Sequence, residues 1–220
     1  MNTRDKILQK LRQELSNPEI RRSHSAPAVP EILARQHPSQ EAMARQFSEE
    51  LKKLSGDCFV VENAQEAATV FTQLARENGW NGVSSVDVPL FHEVVALPNP
   101  YFGEANGETD KRRLSEIPVS VVFPQLLLAD TGSAVMCNRT AHERLNCYLP
   151  PVCVVVAKGS QLREHLPAAW QEIADTVRDP SLRGEYVLIT GPSRTADIEK
   201  VSILGVHGPK RVIVLLLEKE

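Results

Sequence analysis

Aromatic residues are scarce in this chain: Phe, Trp and Tyr make up 5% of its 220 residues. Positive charge is not in excess either, with 25 Lys and Arg against 28 Asp and Glu and a formal net charge of −3. Without a basic stripe or aromatic stacking platforms, the sequence argues against binding to DNA or RNA. Long apolar runs are missing as well. The longest candidate, Val212 to Leu217, falls far short of the roughly 18 residues that span a bilayer. The stretch Met1-Asn2-Thr3-Arg4-Asp5-Lys6-Ile7 is charged and has no apolar core of a secretory signal, so the cytoplasm is the expected location. The four cysteines, Cys58, Cys137, Cys147 and Cys153, show neither the C-x-x-C pairs of zinc sites nor the C-x-x-C-x-x-C runs of iron–sulfur proteins. The expectation is therefore no metal and no cluster in this chain.

What is present is an ordinary globular composition, 42% hydrophobic and 24% charged, enough for one sizeable core with appendages. The organisation is lopsided. Thr3 caps a predicted helix over residues 3 to 15, with Ile7, Leu8, Leu11 and Leu15 on one stripe. Residues 17 to 38 carry Pro18, Pro27, Pro30 and Pro38 without an apolar period and read as a tether, so residues 1 to 38 form a helix with its linker and 39 to 220 the globular domain. The helix is a candidate docking element for a partner, or packs back on the body. No internal repeat is visible.

Within the domain, Ala42 to Leu54 has helical spacing. Asn63-Ala64-Gln65-Glu66 opens a second helix that ends at Gly79. Cys58 to Val61, Val119 to Phe123, Ala134 to Cys137, Cys153 to Ala157, Tyr186 to Ile189 and Val212 to Leu217 read as strands, with a further short strand near Val94-Val95-Ala96 and a helix from Gln161 to Arg178. Interleaved strands and helices predict an α/β fold with a covered, mostly parallel sheet. Cys58 and Cys153 open strand-like runs and read as buried reduced thiols. Cys147, between Asn146 and Tyr148, is the cysteine to test for reactivity, with His142 as a possible pairing base.

Three polar segments interrupt the apolar elements. Gly191-Pro192-Ser193-Arg194-Thr195-Ala196-Asp197-Ile198-Glu199 follows a predicted strand; Ser193 or Thr195 can cap a helix starting near Ala196, and Arg194 offers a planar guanidinium to a carboxylate or phosphate. Such a loop can equally be a tight turn with a solvated Arg194. Gly205-Val206-His207-Gly208-Pro209 sets an imidazole on a tight backbone just before the last strand, available as acid, base or donor, or simply bonded to its own loop. Asp130-Thr131-Gly132-Ser133 gathers a carboxylate and two hydroxyls around a glycine, either to bind a ligand or to close a local turn.

These segments together carry a resemblance. Ala129 to Ser133, Gly191 to Asp197 and Gly205 to Pro209 are similar to the signature of the LUD-domain family, most closely its lactate utilisation protein C branch, over about residues 40 to 220. Arg144-Leu145 with Leu149-Pro150 fits a further element of that pattern, although Asn146 and Cys147 make it more polar than is usual. The resemblance implies a three-layer α/β/α sandwich with a mostly parallel sheet, like that of sugar-phosphate isomerases and CoA transferases. It also implies a part in bacterial conversion of L-lactate to pyruvate by three cytoplasmic proteins, one of which carries iron–sulfur clusters. The residues expected to bind a small anionic ligand are Asp130, Thr131, Gly132, Arg144, Gly191, Ser193, Arg194, Thr195 and His207. Catalytic candidates are Asp130, Asp197, Glu199 and His207, which matter if the chain is instead a stand-alone enzyme of isomerase or CoA-transferase type. A scaffold whose loops only maintain the fold is the third possibility.

Overall fold

The computed structural model describes residues 3–15, 36–104, 109–179, 185–196, 202–205 and 207–219. It divides into two compact units, Met1–Ala34 and Arg35–Glu220. The described part of the first unit is helix α1 (Thr3–Leu15), on the residues that the apolar stripe predicts. Most of the expected tether, residues 17–35, lies outside the described residues.

The second unit opens with α2 (Gln40–Lys53). The Ser39 side chain caps it by accepting from the Ala42 N–H, and Ala44, Phe47 and Leu51 form its buried stripe at i, i+3 and i+7. Strand β1 (Asp57–Val61) leads to α3 (Ala64–Asn78), where the Asn63 carboxamide accepts from the Gln65 and Glu66 N–H groups. Gly79, at φ 65°, ends α3 in the left-handed region that glycine adopts without strain. Next come β2 (Val83–Ser84), α4 (Pro89–Val94), α5 (Lys111–Glu116), β3 (Val119–Val122), β4 (Leu126–Leu128), β5 (Ser133–Asn138), α6 (Ala141–Asn146) and β6 (Val152–Lys158). The chain closes with β7 (Leu162–Arg163), α7 (Leu166–Val177), β8 (Glu185–Ile189), β9 (Arg194–Ala196), β10 (Ser202–Leu204) and β11 (Arg211–Leu217).

The central sheet runs β1-β11-β6-β3-β2 with every pairing parallel. Its two middle strands are buried along almost their whole length, which is why they read as continuous Val, Ile and Leu rather than as an alternation. Successive residues still face opposite layers. Ile213, Leu215 and Leu217 join Val154, Val156, Val119 and Val121 against Phe71 and Leu74 of α3 and Phe91 of α4. Val212, Val214 and Leu216 join Cys153 and Val155 against Phe47 and Leu51 of α2.

A second, four-stranded sheet, β7-β4-β5-β8, packs its inner face into that same α2 layer through Leu127, Ala134, Met136 and Ile189. Helix α7 covers its outer face with Ala169 and Ile173. The result is a three-layer α/β/α arrangement around a parallel sheet, with a small mixed sheet built into one outer layer.

Three local expectations are corrected. Val94 ends the helix α4 instead of lying in a strand, because Pro89 occupies the first turn and Phe91 and Val94 bury one helical face. Helix α7 begins at Leu166, five residues later than the pattern suggests, since Leu162 and Arg163 pair with Leu127 and Leu128 as β7. Arg194–Ala196 does not open a helix: it pairs antiparallel with Ser202–Leu204 as β9 and β10. Among the described residues, no helix is long and apolar enough to cross a membrane.

Candidate functional site

The turn between β4 and β5 is Ala129-Asp130-Thr131-Gly132. Its backbone is tied to the strand beside it, the Ala129 and Asp130 N–H groups donating to the carbonyls of Arg163 and Glu164 at 2.9 and 3.0 Å. Gly132 has φ +61°, and a Cβ there would lie 2.5 Å from the Leu51 nitrogen, so only glycine lets the turn touch the backbone of α2. The Ser133 hydroxyl is 2.8 Å from both Thr131 Oγ1 and Thr190 Oγ1, joining this turn to the end of β8. Asp130 itself is exposed.

The segment after β8 reaches the same helix end. Gly191, φ +83°, packs its Cα on Leu54, where a Cβ would meet Leu54 Cβ at 3.0 Å. Arg194 donates from Nη2 to the Leu54 carbonyl at 2.5 Å and to Ser55 Oγ at 3.0 Å. A guanidinium on the last carbonyls of a helix satisfies acceptors that have no partner within the helix and sits at the negative end of its dipole. The third segment closes the group: the Ser193 N–H donates to the Pro209 carbonyl and the Gly205 N–H to the Ser193 carbonyl, both at 2.9 Å. Gly208 lies against Ser193, leaving no room for a Cβ, and His207 between these contacts is exposed.

The structure thus brings Asp130, Thr131, Gly132, Gly191, Ser193, Arg194 and His207 to one corner. Helix α2 ends just before β1, and the Lys210 N–H bonds the Pro151 carbonyl immediately before β6 and β11 begin. The corner therefore sits at the amino-terminal edge of the parallel sheet, whereas open α/β sheets place ligands at the carboxyl edge. Where the sequence reading expects Ser193 or Thr195 to cap a helix, Arg194–Ala196 is strand β9, paired with β10. Thr195 lies in β9, and Asp197 and Glu199 fall outside the described residues.

Arg144 is elsewhere. It lies on α6, with Nε 3.6 Å from Oε1 of Glu185. Glu185 pairs with Asn138 at the far end of β5 from Ser133, about 17 Å away at 3.4 Å per residue.

Cys147 and His142 do not form a catalytic pair. Cys147 is 2% exposed; burial pushes its thiol up to about 12, and its sulfur contacts Asn138 and the Glu143 carbonyl. His142 is buried with Nε2 2.9 Å from the Ser85 carbonyl, fixing α6 to the loop after β2. Cys153 is fully buried, as its strand position implies, and Cys58 is half-buried with its thiol raised to about 11 by burial.

Sequence reasoning missed a cleft at the carboxyl ends of β2 and β3, where α6 presents Glu143 and Asn146 beside Arg139. Glu143 and Asn146 are three residues apart, on one face of α6, a spacing that becomes a signal only once residues 141 to 146 are recognised as a helix.

Residues 44–217 match the LUD domain family model. Lactate utilization protein C of Bacillus pumilus is 31% identical over 132 residues, which cover 60% of this chain and 55% of that protein. YkgG of Escherichia coli, itself uncharacterized, is 29% identical over 119 residues, 52% of this chain and 50% of that protein. The chain thus spans about half the length of these two curated relatives. Lactate utilization protein C of Geobacillus sp. aligns more fully, at 22% identity over 99% of this chain and 96% of that protein. The crystal structure of a DUF162 family protein from Deinococcus radiodurans superposes with a TM-score of 0.63, covering 82% of this chain and 99% of that one at 15% identity, a likeness of fold.

Proposed function

This chain belongs to the LUD-domain family, and from that premise we propose that it is a component of bacterial L-lactate utilisation, the oxidation of L-lactate to pyruvate. The observation that carries the reading is its similarity along nearly its whole length to a protein named for lactate utilisation. In this reading the chain works in the cytoplasm beside a partner subunit that carries iron–sulfur clusters, and its own part is to bind a small anion.

Removing two electrons and two protons from lactate needs an electron acceptor. The thiols of this chain do not fit a cluster: Cys58, Cys137 and Cys153 belong to three different strands, and Cys147 and Cys153 pack among apolar side chains of the core. Electron transfer is therefore assigned to the partner.

The corner of Asp130, Gly191 and Arg194 serves this function by fixing structure. Its described polar contacts hold three loops on the end of α2, which positions the second sheet against the first. The test is purification of the tagged chain from cells growing on L-lactate. The expected result is co-purification of a protein rich in C-x-x-C-x-x-C runs, with iron in the complex and lactate oxidation that needs both subunits. A chain that isolates alone and turns over a sugar phosphate or an acyl-CoA would contradict the proposal.

A further inference from the structure

We infer that strand β8 and the flank of α7 beside it form a two-fold interface with a second copy of this chain. Strand β8 is an edge of the second sheet: β5 pairs with one side of it, and no described residue pairs with the other. Exposed sheet edges are commonly blunted by lysine, proline or a bulge. Glu185–Ile189 has none of these, and its register with β5 runs unbroken.

The main chain of this edge is arranged for pairing. The Val135 carbonyl accepts from the Gln125 N–H at 2.8 Å, so Val135 turns its backbone groups toward β4, and its neighbours Ala134 and Met136 turn theirs toward β8. Ala134 and Met136 stand opposite Ile189 and Val187. Val187 and Ile189 thus bond β5, which leaves the N–H and C=O groups of Tyr186 and Leu188 pointing out of the sheet. An antiparallel copy whose two-fold axis passes Val187 sets each Tyr186 against the other copy's Leu188, making two hydrogen-bonded pairs.

That register is self-complementary in side chains as well. Glu185 falls opposite Ile189 of the second copy, so like charges do not meet. Leu188 stands opposite Val135, on the sheet face that α7 covers, and is 47% exposed; Tyr186 packs on the same face. An aromatic side chain opposite an aliphatic one is a favourable cross-strand pair.

Helix α7 adds the rest of the surface. Its Glu172 holds Arg163 of β7, Nε to Oε1 at 2.6 Å, so that flank of the helix faces β7. At about 100° per residue, Trp170 lies roughly 200° and Val177 roughly 140° round the helix from Glu172, on the flank toward β8. These two side chains are 61% and 57% exposed. Ala169 and Ile173 seat α7 over Leu126 and Leu128 of β4 and Val135 of β5. Its axis therefore runs about two strand spacings from the two-fold axis, and two copies of α7 lie roughly 20 Å apart. That is about twice the separation of helices in direct contact, which leaves a trough for Trp170, Val177 and Leu188 of both copies to fill.

The test is sedimentation equilibrium of the full-length chain at micromolar concentration, which should show a dimer. Leu188→Lys and Trp170→Lys, both at exposed positions, should each weaken it by about tenfold or more and keep the circular dichroism of the fold. Val60→Lys, at an exposed apolar position on β1, should leave the dimer unchanged. Val187→Cys brings the thiols of two copies together at the axis and should give a disulfide-linked dimer under mild oxidation much faster than the wild type does. A monomeric wild-type chain would overturn the inference. So would a dimer that neither lysine weakens, or one that Val187→Cys fails to cross-link.

Discussion

Replacing Gly132 by Ala would test whether the Asp130 turn is a structural clamp on α2. Gly132 and Gly79 have nearly the same φ, +61° and +65°, but different surroundings. Around Gly79 a Cβ would meet nothing within 4 Å, so Gly79→Ala carries only the left-handed strain, about 1 to 2 kcal/mol. At Gly132 the same methyl would lie 2.5 Å from the Leu51 nitrogen and 2.9 Å from its Cα. These are backbone atoms of a packed helix and cannot rotate away, so α2 or the whole turn must shift, adding about 1 to 3 kcal/mol of overpacking. Gly132→Ala should therefore cost about 2 to 5 kcal/mol. For a domain of this size each kcal/mol lowers Tm by about 2 to 4 °C. Thermal unfolding followed by circular dichroism should thus show a drop of about 2 to 8 °C for Gly79→Ala and clearly more, up to about 20 °C, for Gly132→Ala. Equal drops would show that the turn does not bear on α2 and would remove the structural account of the Asp130 segment.

Arg194→Ala, which removes the contacts to Leu54 and Ser55 at an exposed helix end, should lower Tm by about 2 to 4 °C, the equivalent of about 1 kcal/mol, without changing lactate affinity; lost lactate binding at unchanged Tm would make Arg194 a ligand contact. Burial raises the thiols of Cys58 and Cys147 to about 11 and about 12, above the ordinary value near 8.5. The unfolded chain therefore loses these protons first, and the stability they contribute is complete below about pH 8.5 and is lost as the pH rises toward the folded values, at about 1.4 kcal/mol per pH unit per thiol. The urea midpoint should fall between pH 9 and 10.5, and less steeply in Cys147→Ala; a slope unchanged by that substitution would contradict the assignment. For the same reason Cys147 should resist thiol reagents in the native state at pH 7, and rapid modification of it would show that it is accessible.

Where information is local, the sequence was legible. The cap at Asn63, the stop at Gly79 and the apolar runs of β6 and β11 lie where the pattern puts them, because each depends on neighbours within a few residues. Val94-Val95-Ala96 misled because β-branched residues also line short buried helices, and Pro89 favours the helical start as much as a strand end. Ser193 and Thr195 can cap a helix or enter a hairpin; pairing with Ser202–Leu204 decided it, and that partner is not visible from the loop itself.

The candidate site divides in the same way. Its glycines and Arg194 were found by chemistry, but their place at the amino-terminal edge follows from their packing on Leu51 and Leu54 at the end of α2, just before β1, a non-local fact. Arg139 and Asn146 were passed over because the polar character of residues 144 to 147 hides a six-residue helix whose face becomes meaningful only beside β3.

The central claim is tested most directly by deleting the gene for this chain in its source strain and measuring growth on L-lactate as sole carbon source. The account predicts that growth on lactate is lost while growth on pyruvate is kept, and that the wild-type chain restores it. Undiminished growth of the deletion strain on L-lactate would contradict it.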